Sequence, residues 1–180
     1  KQRNAVRRLN LKLHTMKTKT INVYSFDELS EDAKNKVVSK FEDINVSYSW
    51  WESTYEDAEN VGVKITSFDT YRQSIDGNFL LSSFEVAANI IRDHGEMCET
   101  YKTAQKFLDE SNTIGCKYPE MEGEEYESEM MELEDEFINS LLQDYLIMLR
   151  NEYEYQTSEE AIIEAIQING YEFNEYGNII

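Results

Sequence analysis

The segment Glu120–Glu154 constrains this chain more than any other: it carries no Lys or Arg before Arg150, yet it keeps a continuous apolar stripe. Tyr126, Met130, Leu133, Phe137, Leu141, Tyr145 and Met148 recur in steps of three and four, the spacing that places side chains on one side of an α-helix. Glu120, Glu122, Glu124, Glu125, Glu127, Glu129, Glu132, Glu134, Asp135 and Glu136 crowd its first half. One long helix therefore supplies both a ridge for a core and a dense negative surface. In its second half, Phe137–Leu149, the residues Ile138, Leu142, Leu146 and Leu149 join the stripe and make a second apolar face. Such a helix is expected to be sandwiched between other elements or to form a seam with a second copy of the chain, a homodimer. The first half has one narrow stripe and like charges a turn apart. It is expected to fray or project unless a cation or a partner compensates.

The charge bias extends beyond this helix. The formal net charge is -19. Lys1, Arg3, Arg7, Arg8, Lys12, Lys17 and Lys19 supply seven of the 17 basic residues, and no acid precedes Asp27. The remainder holds ten basic against 36 acidic residues, a balance of -26. A body of that sign repels nucleic acid and anionic lipid and is drawn to basic protein surfaces. Residues 1–15 are basic and lack acids, and Met16 can open a native reading frame. We read 1–15 as an added leader and 16–180 as a single acidic domain; the alternative is a basic arm that contacts nucleic acid or folds back on the body. Hydrophobic residues make up 41%, enough for a core. No apolar run approaches the roughly 18–20 residues of a membrane span. Cys98 and Cys116 are the only cysteines, which suits a reducing, cytoplasmic setting better than a disulfide framework.

The pattern predicts an α+β fold with an antiparallel sheet of three to four strands and about six helices. Thr20–Phe26 reads as a first strand. Ser30 caps a helix to about Asn45, with Leu29, Ala33, Val37, Phe41 and Ile44 inward. Ser47 or Ser49 starts a second helix carrying Trp51, Tyr55 and Ala58, and Gly62 closes it. Val63–Asp69 and Asn78–Phe84 read as strands of a long-looped hairpin, with Asp76-Gly77 as a turn. Ser83 caps a helix Phe84–His94, Met97–Ser111 is another, and the chain breaks at Asn112–Pro119. Thr157 and Glu160 form a capping box for the last helix, which Gly170 ends. Tyr171–Phe173 returns to the sheet.

Chemistry-bearing motifs are sparse. There is no G-x-x-x-x-G-K-[ST] phosphate loop and no dinucleotide glycine fingerprint, so no cofactor is implied. His94, Cys98 and Cys116 lack the local ligand pairs of a structural zinc site. We read them as a surface histidine and two semi-buried thiols. Among 36 acids some pair always falls close in sequence, so carboxylate pairs say nothing about acid–base catalysis. The D-x-[DN]-x-[DN]-G calcium loop is missing. The expectation is a binding protein and not an enzyme. Its contact residues are Glu120, Glu122, Glu124, Glu125, Glu127, Glu129, Glu132, Asp135 and Glu136, with Trp50 as a partly exposed aromatic and Trp51 in the core. Carboxylates one helical turn apart lie about 6 Å from each other, close to the spacing of phosphates along a nucleic-acid strand.

Several stretches carry a resemblance. They are Val23-Tyr24-Ser25-Phe26-Asp27-Glu28-Leu29-Ser30, Trp50-Trp51, Tyr55-Glu56-Asp57-Ala58, Gly95-Glu96, Cys98-Glu99-Thr100-Tyr101-Lys102-Thr103-Ala104, Glu152-Tyr153-Glu154-Tyr155 and Ser158-Glu159-Glu160-Ala161-Ile162. Together they resemble a family of small acidic bacteriophage and prophage proteins, mostly without assigned function and sometimes labelled antitoxin-like. The likeness spans nearly everything after Met16 and carries no catalytic motif. It implies a phage origin and an anti-defence role of the anti-CRISPR type. On that reading the partner is an RNA-guided nuclease or another bacterial protein with a basic nucleic-acid channel. The alternatives are an antitoxin for one cognate toxin, a self-associating phage structural protein and, last, a carboxylate- or metal-dependent enzyme.

Overall fold

The computed structural model describes residues 20–180; the basic stretch 1–15, expected to be an added leader, lies outside them. A 3-10 turn over Phe26–Glu28 leads into α1 (Glu31–Lys40), then α2 (Glu52–Val61), a hairpin of β1 (Val63–Asp69) and β2 (Ser74–Phe79), α3 (Ser83–Asp93), α4 (Glu99–Lys117), α5 (Glu124–Gln156) and α6 (Glu159–Ile168). Among the described residues the fold is α+β, with six helices and a two-stranded antiparallel sheet.

The first two helices follow local signals at one end each; α1 stops at Lys40 rather than near Asn45, and α2 starts after Trp51, with neither Ser47 nor Ser49 capping it. The Ser30 hydroxyl accepts from the Ala33 amide and starts α1. Gly62, at φ +98, ends α2 in the left-handed conformation that glycine adopts without strain. Further boundaries move. Ser82, with Glu85, forms the capping box of α3, one residue ahead of Ser83. Ser158 caps α6, while Thr157 ends α5 and bonds back to Tyr153 O. The helix α4 runs through Gly115 to Lys117, so the break falls on 118–123.

The sheet is smaller than expected, for two reasons. Around Thr20–Phe26, Ile21 and Val23 stay exposed, and only Tyr24 pairs, in an isolated bridge to Phe173. Phe173 bridges in turn to Ile179 and never reaches the hairpin. The second strand lies upstream of Asn78–Phe84, because α3 already starts at Ser83. Asp76-Gly77 is not a turn: Gly77 sits inside β2 opposite Ile65, beside an irregularity between Ile65 and Ser67. A Cβ there would come within 2.7 Å of Leu142 Cδ2 and 2.6 Å of Lys64 O. Glycine is present because α5 and β1 press on that backbone.

Two apolar clusters result. The larger joins α2, the hairpin, α3, α4 and α5 around Val63, Val86, Ile90, Phe107, Phe137 and Leu141. The smaller joins the N-terminal turn, α1, α6 and the C-terminal segment around Phe26, Val37, Ile166 and Phe173. Helix α5 passes across the larger one. Its predicted stripe holds at Met130, Leu133, Phe137, Leu141 and Tyr145, but Met148 is exposed and Leu142, Leu146 and Leu149 are buried instead. The second apolar face is thus covered within one chain, so a dimer is not needed to bury it. The acidic half does not project: Met130, Leu133 and Phe137 pin it to the body beside α4.

Candidate functional site

The candidate interface follows from how α5 is pinned. With Met130, Leu133 and Phe137 turned inward, the charged positions are forced outward by the 3.6-residue period. Glu120 and Glu122 lie in the turn before α5; Glu124, Glu125 and Glu127 are in its first turn. These five, together with Glu132 and Asp135, are exposed and have no Lys or Arg partner among the described residues. The other two are neutralised by α4. Lys117 pairs with Glu129, where the Tyr118 hydroxyl also donates at 3.0 Å, and Lys106 pairs with Glu136 at 2.7 Å. The Glu129 carboxyl is held below its usual range by the hydrogen bond from Lys117 and then by that from Tyr118.

This arrangement divides the acids into two sets. Glu125, Glu129, Glu132 and Glu136, at intervals of four, three and four, form a straight row along α5, and α4 lysines bridge alternate members. Glu124, Glu127 and Asp135 turn further round the helix. The phosphate-like row is therefore half neutralised, and the free charge is spread over the outer side of the helix rather than along one line.

Trp50 is not brought to this surface. Its ring lies edge-on to Trp51 and Phe68, each with centroids 5.7 Å away, and tilts against Tyr153 at 5.5 Å. Tyr153 is 17 residues beyond Glu136 on α5, about 25 Å along the axis. Trp50 and Trp51 are both half-buried, so Trp51 is not the fully buried member expected.

The histidine and cysteines also differ from expectation. His94 is not a surface residue: its side chain is 10% exposed. Cys98 and Cys116 are both exposed. They stand at opposite ends of α4, and among the described residues no three His, Cys, Asp or Glu side chains converge as a metal site requires. His94 ends α3 in extended conformation, which turns its ring back onto the first turn of α4 and onto α2. Its Nδ1 lies 2.8 Å from Thr100 Oγ1, and its Nε2 lies 3.6 Å from Asp57 Oδ1. The Tyr145 hydroxyl donates to the other Asp57 oxygen at 3.1 Å. His94 and the Tyr145 hydroxyl hold the Asp57 carboxyl below its usual range, against the effect of burial. Burial, and then the Asp57 charge, push the Tyr145 hydroxyl well above its usual range.

Asp57, His94 and Thr100 follow the acid–imidazole–hydroxyl order of a nucleophile triad. Thr100, however, is 3% exposed, and a nucleophile needs an open approach. Its hydroxyl holds the ring in place. These groups border a cleft of about 470 Å³ between α2, the α3–α4 turn and α5. The signal missed in the sequence is Asp144, the one acid in the apolar stretch Phe137–Leu149. It accepts from Thr103 at 2.7 Å and lines the same cleft.

No family model, curated protein or solved structure matches the chain. Among the described residues no helix is long and apolar enough to cross a membrane. The functional reading rests on the chain's own geometry and chemistry.

Proposed function

We propose that the chain is a phage-encoded inhibitor that binds a bacterial nucleic-acid-guided nuclease, with the acidic side of α5 occupying a basic channel built for a nucleic-acid backbone. The observation that carries this reading is the set of seven exposed carboxylates without a cationic partner among the described residues, Glu120 and Glu122 just before α5 and Glu124, Glu125, Glu127, Glu132 and Asp135 on it, the helix being anchored by Met130, Leu133 and Phe137. An anchored acidic helix presents its charge without an ordering cost on binding, which a disordered acidic tail would incur. Charge of one sign also steers a basic partner into contact and repels free nucleic acid.

The experiment is charge reversal at positions free of α4. Glu124, Glu125, Glu127 and Glu132 are changed together to Lys and tested for inhibition of an RNA-guided nuclease. Inhibition is expected to disappear while the circular dichroism spectrum is unchanged, and wild-type binding is expected to weaken steeply as salt rises. Undiminished inhibition by the variant discards the acidic surface as the contact. Specific capture of one toxin, with no effect on nucleases, assigns the chain to the antitoxin class instead.

A further inference from the structure

We propose that the cleft between α2, the α3–α4 turn and α5 binds an organic cation, a guanidinium group carried on an apolar stem. It shares no residue with the acidic surface of the first half of α5 and does not depend on that surface's role.

Three observations carry the proposal. First, the cleft combines an apolar wall with an excess of carboxylates. Ile147 and Met148 leave 45% and 42% of their surface open, while Asp57, Asp93, Glu99 and Asp144 supply negative charge around them. Second, the charge is only partly answered from within. Arg92 takes up Asp93 and Lys102 takes up Glu99. Asp57 and Asp144 have no Lys or Arg partner among the described residues. Third, a buried polar atom is left over. The His94 side chain is nine-tenths buried, and its Nε2 has no hydrogen-bond partner, since 3.6 Å to Asp57 is beyond a normal bond. A buried polar atom left unpaired costs stability unless something satisfies it. With the Thr100 hydroxyl donating to Nδ1, Nε2–H faces Asp57 Oδ1 at 3.6 Å, too far for a full hydrogen bond, so that carboxylate oxygen on the cleft wall is left open to a further donor.

The alternatives fit less well. A metal ion needs three or more converging ligands, which the described residues do not provide. An anion would meet four carboxylates. A neutral apolar ligand would strip further water from Asp57 and Asp144, and burial already pushes Asp144 above the usual carboxylate range. A guanidinium has five N–H donors, which suits the carboxylates of Asp57 and Asp144, and its stem covers Ile147 and Met148. The volume, about 470 Å³, lies in the range of small-ligand sites. The same chemistry comes from two sources, an arginine side chain of a protein or a free alkylguanidine.

The test is a titration of the full chain with n-butylguanidinium, followed by NMR at the His94 ring and the Met148 and Ile147 methyl groups. Saturable shifts at all three are expected, with n-butanol giving none. Asp57→Asn with Asp144→Asn should weaken binding by about tenfold or more, the scale of charge-assisted hydrogen bonds. Ile147→Lys, at an exposed position that folding tolerates, puts a tethered ammonium in the cleft and should abolish binding. The peptide acetyl-Gly-Arg-Gly-amide separates the sources. Matching shifts support a protein-borne arginine, and shifts from n-butylguanidinium alone support a free cation. Absence of saturable shifts from n-butylguanidinium, equal binding of n-butanol, or wild-type affinity in Ile147→Lys overturns the proposal. The Glu124/Glu125/Glu127/Glu132 reversal should leave this titration unchanged, so failure of one reading is distinct from failure of the other.

Discussion

The rings of Phe107 on α4 and Phe137 on α5 stack nearly parallel, with centroids 4.3 Å apart and planes 10° apart. Both are buried. Phe79 of β2 also packs against Phe137, its ring tilted with centroids 5.5 Å apart, so this residue joins hairpin, α4 and α5. It also fixes the rotation of α5, and with it the direction of every charged side chain on the first half. Phe137→Ala should lower stability by about 3–5 kcal/mol, read from urea unfolding. Phe137→Leu, which keeps most of the volume, should cost much less.

The two lysines of α4 bear on the other side of the same problem. Without Lys106 and Lys117 the acidic row has no cation facing it from α4. Replacing both with Gln should speed amide hydrogen exchange over the first turns of α5 and leave α6 unaffected. The effect should be largest at low salt, where repulsion between exposed carboxylates is least screened. Unchanged protection over 124–133 would mean that apolar anchoring alone holds the helix.

Asp57 and Asp144 predict opposite pH responses from neighbouring positions. Asp57 titrates below the ordinary aspartate value of 3.8, chiefly because of His94. Its contribution is present above that value and is lost as pH falls through the depressed one. Asp144 titrates above 3.8, chiefly because of burial. The native state therefore holds its proton longer than the unfolded chain does, and the residue lowers stability as pH rises through that window. At pH near 7, Asp144→Asn should raise the melting temperature and Asp57→Asn should lower it. Each effect is of the order of 0.5 kcal/mol, since both groups stay partly screened by water. As pH falls the Asp144 difference should shrink first, because its carboxyl takes up a proton above the ordinary range, and the Asp57 difference should persist until the pH drops through its depressed range. Melting curves of the three proteins from near neutral pH downward give the comparison.

Local periodicity and capping made much of the helical fold legible. Leu29, Ala33 and Val37 gave the core side of α1, Gly62 gave the end of α2, and the three-four spacing gave five of the seven stripe residues of α5. The errors came where long-range packing decides. Asp76-Gly77 has turn chemistry, yet Gly77 is there for the approach of Leu142. Ile21 and Val23 alternate like a strand, but among the described residues no partner strand reaches them. The acidic residues of the candidate interface were legible as a group, while their division into paired and free sets depends on Lys106 and Lys117 of another helix. His94 pairs across 37 residues with Asp57 and meets Asp144's cleft only through folding, so single-sequence spacing carried no trace of it.

Gly177 offers a prediction with its own control. It has φ +74, and a Cβ there would stand 2.8 Å from Ala33 O and 2.9 Å from Val37 Cγ2. Lys40 Nζ bonds to Asn178 Oδ1 at 2.7 Å and fastens the same segment over α1. Gly170 also has a left-handed backbone, at φ +64, but a Cβ there meets nothing within 4 Å. Gly170→Ala should therefore cost about 1 kcal/mol for the backbone alone. Gly177→Ala should cost that and about 1–3 kcal/mol more, because Ala33 belongs to a helix backbone that cannot yield easily. Urea unfolding of the two variants isolates the contact from the conformation. Equal losses would show that the C-terminal segment shifts to make room, and faster exchange at the Tyr24 and Phe173 amides, which bond to each other's carbonyls, would identify that movement.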